Sequence, residues 1–414
     1  MQKKILVLFF AVLSAASAAA QVVSKETARQ IAARFVSSPL PDGMRRMPQA
    51  KTSDVSLAWK SLLKGDAPEV YAFNVTGGGF VIVSGDEGTQ QEVLGWSDTG
   101  AYDDNVMPDG LRWLVGEYAR AIAAYRDSEE YGKNMSRVSR KAPVSGYGKV
   151  GPLLRTTWGQ DIGLYGHQYA GCVATAVAAI LNYHRWPKTG YGSHTNIWEG
   201  NQSVDFTQST YAWGNMESDD YNKQNAARQK LLYDVGCAVN MHYDQANGSE
   251  AYSDNAYKAL VTNFGYDESR VKHGGVSDIT LREELRAGRP VYYAGYDTIY
   301  TDIWAYDHYI RVPQKTIGHA MVIDGYNDEG LFHIDFGWDG LCNGYFSTRV
   351  IRPYGDEYDK RHSYAPFGEM IYDIVRQTRE KVQVDGVWYD LDDETSSATV
   401  ASSLTESYSG DVTI

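Results

Sequence analysis

The run from Gly171 to Pro187, GCVATAVAAILNYHRWP, constrains this chain more than any other stretch. Val173, Ala176, Val177, Ile180 and Leu181 recur at helical spacing and call for a buried helix face. Pro187 forbids continuation of that helix, and Gly171 permits a tight backbone approach at its start. Cys172 therefore sits at or beside a helix N-terminus, where the macrodipole and unpaired N–H groups favour thiolate over thiol. The alternative is a small core cysteine, but a position just after glycine at a helix start is an unusual one for core packing.

With 414 residues the chain has room for two or three domains. Hydrophobic residues at 43% and charged residues at 22% describe a globular protein rather than a disordered one. A formal net charge of −13 excludes a general nucleic-acid binder, which needs clustered Lys and Arg to neutralise phosphate. Residues 1–20 read as a secretory signal: Lys3 and Lys4, an apolar run from Ile5 to Leu13, then small residues from Ala16 to Ala20. That run is too short for a permanent membrane anchor and no other stretch is apolar enough, so export without a membrane span is expected. Only three cysteines are present, Cys172, Cys237 and Cys342, too few for a disulfide framework and without the spacing of a zinc site. Cys237 and Cys342 read as small buried hydrophobes, and neither a metal nor a cofactor is implied.

Residues 21–141 form a first unit. SKETARQIAARFV predicts a helix capped by Ser24 with Ala28, Ile31, Ala32 and Phe35 on one face. EVYAFNVTGGGFVIVSGDE alternates like paired strands about a glycine turn, and LRWLVGEYARAIAAY predicts a second helix over Leu111–Tyr125. The polar, basic stretch 127–149, with Arg137, Arg140 and Lys141, fits a plain linker and a cleaved one equally well. Residues 142–377 carry helical patterns first (CVATAVAAILNYH, NAARQKLLYDVG, SDNAYKALVTNFG) and strand patterns after (PVYYAGY, HAMVIDGY, LFHIDFGW). That order predicts an α+β fold of two lobes with a cleft between them. Residues 378–414 read as a short β-rich tail, KVQVDGVWYDL, SATVASS and SGDVTI, ending as a truncated module would.

A thiolate at neutral pH needs a cationic partner, usually histidine. His319, in IGHAMVIDGYND, starts a strand and so lies at a sheet end where a cleft opens. His184 is twelve positions along the helix from Cys172, too far to reach it, and His333 lies within the next strand as a core histidine would. Gln160, in TTWGQDIG twelve residues upstream of Cys172, is a candidate donor to an oxyanion beside the Cys172 N–H, or else a surface amide. In HIDFGWDG, Asp335 is placed to orient the imidazole and Phe336 or Trp338 to shield it from water. An aromatic turn closing a small hydrophobic cluster would show the same residues.

These blocks together resemble the streptopain-like cysteine proteases, papain-fold enzymes of bacteria. GCVATAVAAILNYHRWP with WGQ before it, and GHAMVIDGY with HIDFGWDG after it, carry the likeness, while GGFVIVSGDE and LGWSDTGAYDDN resemble the propeptide of that family. The resemblance spans roughly Val22 to Ile374. It implies a papain-like catalytic domain, an inhibitory prodomain at 21–141 and a maturation region in the basic linker. It also implies Cys172 as nucleophile, His319 as general base, Gln160 as oxyanion glutamine and Trp338 as the second aromatic of a Trp-Gly-Trp element. Protein or peptide substrates follow, with the prodomain as intramolecular inhibitor. The chain departs from the pattern in three respects. Phe336 stands for the first Trp and Asp335 for an Asn, the run Thr298–Thr316 is longer than the family's loop, and Asp244 stands for a Gly. The chemistry also admits a papain-fold acyltransferase or transglutaminase, and the scaffold a catalytically silent secreted binding or inhibitor protein.

Overall fold

The computed structural model describes residues 22–128 except 40–45, 48–53 and 90, then residue 131. It further describes 148–350 except 165, 217–224, 246–247, 276 and 306–307, and 368–400 except 378, 385–386 and 393–396. The N-terminal leader, most of the basic linker and the final SGDVTI lie outside the described residues.

Six α-helices are described: α1 Lys25–Ser37, α2 Asp109–Asp127, α3 Cys172–His184, α4 Ala226–Ala238, α5 Ser253–Thr262 and α6 Asp278–Arg286. Ser24 caps α1 as expected, its Oγ accepting from the Thr27 N–H at 3.1 Å. The buried face of α1 is Ala28, Ile31, Ala32 and Val36, one position further along than expected. Phe35 instead lies half-buried, edge-on to Trp96 and under the Arg46 guanidinium.

The main sheet has ten strands: β1 Val55–Lys60, β2 Val70–Val75, β3 Phe80–Ser84, β4 Val93–Ser97, β5 Lys272–Gly274, β6 Val291–Ala305, β7 His308–Tyr326, β8 Phe332–Asp335, β9 Gly344–Phe346 and β10 Glu369–Tyr372. Their spatial order is β1-β2-β3-β4-β9-β8-β7-β6-β10-β5, antiparallel at every junction. The first four strands come from the N-terminal unit and the other six from the second domain. One hydrogen-bonded sheet therefore crosses the expected domain boundary, through the pairs Trp96↔Tyr345 and Gly95↔Phe346. At that junction the Trp96 and Tyr345 rings stack at 5.2 Å, and the Tyr118 hydroxyl donates to the Ser347 carbonyl at 2.6 Å. Gly95 is required here, because a Cβ on it would lie 2.3 Å from the Phe346 ring.

Strand alternation gives the central strands two buried faces. Tyr292, Ala294, Ala320 and Val322 join the core around α3, α4 and α5. Tyr293, Met321, Ile323, Phe332 and Phe336 face the other way, into a core shared with Leu111, Leu114, Val115 and Tyr118 of α2. The helix bearing Cys172 and a helix of the N-terminal unit thus pack on opposite sides of the same strands. Val173 to Leu181 are all buried, so α3 is enclosed almost all round rather than along a single stripe.

The run Thr298–Thr316, expected as a loop, is the outer part of the β6–β7 hairpin. Pairing continues from Val291↔Ile323 to Ala305↔His308, whereas β10 pairs β6 only at Tyr292–Ala294 and β8 pairs β7 only from Val322 onward. Among the described residues the outer hairpin is therefore a two-stranded ribbon. The tail folds as strands 379–384, 387–392 and 397–400 in a separate antiparallel sheet, in keeping with a small β module. Among the described residues no helix is long and apolar enough to cross a membrane.

Phe346 lies fully buried where the two parts of the sheet meet. Phe346→Ala is expected to lower the precursor's unfolding free energy by about 3–5 kcal/mol. Leu62→Ala, at a half-exposed site, is expected to change it by less than about 0.5 kcal/mol. Equilibrium urea denaturation of the two variants checks the contrast.

Candidate active site

Gly171 caps α3 with a φ of 87°, a conformation that an L side chain resists. It also has no room for one: a Cβ would lie 2.6 Å from the Met241 side chain and 3.2 Å from Ser249 Cβ. Chain direction thereby switches abruptly, and Cys172 begins the helix with its thiol half-buried. The Gly171 carbonyl accepts from both the N–H and the hydroxyl of Thr175, at 3.0 and 2.9 Å, which fixes the first turn. Burial pushes the Cys172 thiol up, but the hydrogen bond and charge of His319, with the Ala320 and Val173 N–H groups, outweigh it and hold the thiol below its ordinary value.

His319 enters from β7, opposite Gly295 of β6, and is buried. Its Nε2 bonds the main-chain carbonyl of Phe336 at 2.8 Å. A carbonyl only accepts, so Nε2 carries the proton and the neutral imidazole presents a bare Nδ1, the nitrogen left for Cys172. Burial opposes protonation of His319, yet the Cys172 partner and the Phe336 carbonyl, with the more distant charge of Asp109, raise its pKa above the ordinary value.

The group orienting the imidazole is thus the Phe336 carbonyl, not the Asp335 carboxylate expected from the sequence. Asp335 Oδ1 accepts instead from the Gly337 N–H at 2.8 Å. Its side chain lines a small cavity behind α3 with Trp158, Thr175, Ala176 and Val322. The reason is the strand period: His319 lies on the face of Met321 and Ile323, whereas Asp335 pairs across from Val322 and turns to the other face. Burial pushes the Asp335 carboxyl up to about 7, against the lowering effect of the Gly337 N–H. Phe336 itself is fully buried, edge-on to Phe346 at 5.4 Å.

Gln160 is drawn towards the cysteine by the chain: the Ala170 N–H donates to the Gln160 carbonyl at 2.8 Å, two residues before Cys172. Trp338 lies in a turn closed by Leu341 N–H to the Trp338 carbonyl, its indole Nε1 buried with no hydrogen-bond partner among the described residues. That turn packs on both neighbouring segments. A Cβ on Gly337 would touch Thr175 of α3 at 3.3 Å, and one on Gly159 would meet the Asp339 carboxylate at 2.6 Å. Gln160, Cys172, His319, Asp335 and Trp338 are therefore carried by segments that touch one another. The side chain of Asp244 lies outside the described residues.

One participant carried no signal in the sequence. The N-terminus of α2 abuts the imidazole: a Cβ on Gly110 would lie 2.5 Å from His319 Cδ2 and 3.1 Å from the Phe336 ring. Further along α2, Trp113 packs over Gly295 and edge-on to Tyr293. The only hint was that α2 is apolar on several sides, more than a free-standing unit needs. Other histidines and cysteines among the described residues have partners of their own. His184 bonds the Tyr266 hydroxyl, and burial pushes its pKa down to about 4. His333 pairs with Asp324. Cys237 and Cys342 are buried free thiols, pushed up by burial to about 11 and about 12.

A thiol at a helix start, an imidazole with its far nitrogen pinned, and a two-lobed α+β frame define a papain-like cysteine peptidase preceded by a prodomain. Comparison with known proteins agrees. Residues 155–346 match the Peptidase C10 family and residues 20–122 match the Spi protease inhibitor family. Streptopain of Streptococcus pyogenes serotype M1 is 27% identical over 367 residues, 80% of this chain and 86% of that protein. The thiol protease/hemagglutinin PrtT of Porphyromonas gingivalis is 30% identical over 80% of this chain but only 39% of its own length. A solved mutant fragment of Prevotella intermedia prointerpain A superposes with a TM-score of 0.54 at 26% identity, covering 78% of this chain and 100% of the fragment. The chain belongs to the streptopain-like cysteine proteases, as a precursor with an inhibitor-like propeptide.

The raised carboxyl of Asp335 has a thermodynamic consequence. Its folded-state pKa of about 7 lies above the ordinary 3.8, so the folded protein holds the proton more tightly. Stability is then lost as pH rises between those two values, and the loss is complete above about 7. Asp335→Asn keeps an acceptor for the Gly337 N–H without the charge. Its Tm relative to wild type is expected to gain several degrees between pH 5 and pH 8, measured by calorimetry.

Proposed function

We propose that this protein is an exported zymogen whose catalytic domain hydrolyses peptide bonds through a thioester on Cys172. The observation that carries the reading is the pinning of His319 Nε2 on the Phe336 carbonyl, which leaves Nδ1 for a thiol at the start of α3. The thiolate attacks the scissile carbonyl, forming the S–C bond while His319 as imidazolium passes its Nδ1 proton to the leaving amine. Water then attacks the thioester with His319 as base, giving the acid and restoring the thiol. The Cys172 N–H and the Gln160 side chain hold the oxyanion in both steps. Phe336 and the Trp338 turn shield the imidazole from water, which strengthens its bond to the carbonyl.

In this reading the leader directs export and the N-terminal unit acts as inhibitor until the basic linker, around Arg137, Arg140 and Lys141, is cut. The contact of Gly110 with the imidazole edge supports an inhibitory role, since it puts the prodomain against a reacting group. The match of residues 20–122 to a protease inhibitor family supports it independently.

The test is autoprocessing of purified precursor under reducing conditions, read by intact mass. Wild type is expected to fall to a form cut between residues 127 and 149, while Cys172→Ala stays whole and loses peptide hydrolysis by about 10³-fold or more. Hydrolysis by Cys172→Ala at the wild-type rate would refute the assignment.

The β6–β7 ribbon extends from the strands that carry Gly295 and His319, so it bears on substrate choice. Replacing 298–316 by a short turn is expected to broaden the cleavage profile on a mixed peptide library. An unchanged profile removes the ribbon from specificity.

A further inference from the structure

We propose that Asn343 is a positioning residue for this reaction: it holds the Phe336 backbone whose carbonyl orients His319. The inference rests on the protease reading above and extends it to a side chain outside the reacting set.

The Phe336 carbonyl and the Gly337 N–H belong to one planar peptide and point in opposite directions. On one side the carbonyl accepts from His319 Nε2 at 2.8 Å; on the other the Gly337 N–H donates to Asp335 Oδ1 at 2.8 Å. The preceding peptide is fixed as well, because the Phe336 N–H donates to Asn343 Oδ1 at 3.0 Å. Both peptides flanking the Phe336 α-carbon are thus tethered, and the carbonyl cannot swing without breaking one of the tethers. Asn343 also lowers the Asp335 carboxyl against the effect of burial, so it bears on both tethers. The Asn343 oxygen accepts from the Phe336 N–H, and the side chain brings no charge of its own beside Asp335.

Asn343 is itself well anchored. It is 9% exposed, its N–H donates to the Gly340 carbonyl at 3.3 Å, and its own carbonyl accepts from the Ser97 hydroxyl of the prodomain at 2.6 Å. It follows Cys342, whose φ of 63° turns the chain back towards β8. Its side-chain hydrogen bond is to the Phe336 N–H, so its influence on the imidazole passes through the main chain of Phe336. The Phe336 carbonyl is one of the groups that favour the protonated imidazole. Loosening that carbonyl therefore weakens the imidazolium.

The experiment compares wild type, Asn343→Leu, Asn343→Asp and Cys172→Ala, each matured from the full chain with a trace of outside protease. Rates are normalised to active sites by Cys172 alkylation where the thiol is present. Asn343→Leu is expected to lower kcat about tenfold or more with KM within about twofold, and to move the alkaline limb of the kcat/KM profile to lower pH. Asn343→Asp keeps the acceptor for Phe336 but adds a second carboxylate beside Asp335. Its activity is expected to approach wild type at acid pH, where the pair shares a proton, and to fall as pH rises. Wild-type kcat and a wild-type alkaline limb in Asn343→Leu overturn the proposal, as does a loss confined to KM or to Tm. If Asn343→Leu does not fold, an Asn343→Asp profile superimposable on wild type overturns it instead. Failure of the protease reading is separate, since only that failure leaves Cys172→Ala active.

Discussion

The alternation of β6 and β7 between two buried faces is the constraint on which the rest of the molecule depends. Residues such as Ala294, Ala320 and Val322 press on the helix that begins with Cys172, and their neighbours Tyr293, Met321 and Ile323 press on α2 of the prodomain. Each fully buried side chain of this kind stabilises the fold by about 1.5–3 kcal/mol. The prodomain face of the sheet is therefore part of the hydrophobic core of the precursor rather than a surface with an inhibitor resting on it. The antiparallel junction Trp96↔Tyr345 extends that union through the backbone, so that the edge of the catalytic sheet is paired rather than bare.

The same alternation explains what the sequence made legible and what it did not. Cys172 was readable because a glycine, an apolar helical period and a terminating proline coincide around it. His319 was readable as a strand histidine after Gly318, but it lies within β7 rather than at its start, because the strand already begins at His308. The orienting group was not, since a main-chain carbonyl carries no residue identity: Asp335 looked chemically suited, but it pairs across from Val322 and so lies on the opposite face of the sheet from His319. The ribbon at 298–316 was taken for a loop because the resemblance set it against a shorter loop of the family, whereas the backbone there pairs as two antiparallel strands. One sheet was also read as two units. Pattern within a strand reports which face is buried and says nothing of which strand lies beside it.

Charge is arranged to keep the reacting pair electrostatically distinct from its surroundings. His333 and Asp324 satisfy each other in the sheet behind, and Asp335, raised to about 7, spares the site a second full negative charge at neutral pH. An ionised carboxylate bonded directly to His319 would stabilise the imidazolium strongly. A carbonyl supplies direction with a weaker pull, leaving the imidazole able to release its proton to a leaving amine. The departure from an amide at 335 is thereby compatible with the chemistry, because the side chain at that position serves the backbone and not the imidazole.

Latency, under the proposed zymogen reading, has a specific physical shape. His319 is already bonded to the Phe336 carbonyl in the precursor, and Cys172 favours its protonation. What the prodomain adds is Gly110 against the imidazole edge, at a distance that leaves no space for even a methyl group. An imidazole must shift slightly between thiol, amine and water during the two steps, and a backbone packed onto its edge opposes that shift. The glycine permits this approach and α2, anchored in the shared core by Leu111, Leu114 and Tyr118, supplies the stiffness behind it. Core packing and inhibition then have one origin in this reading, because the helix that completes the hydrophobic face of the sheet is the helix whose N-terminus meets the histidine.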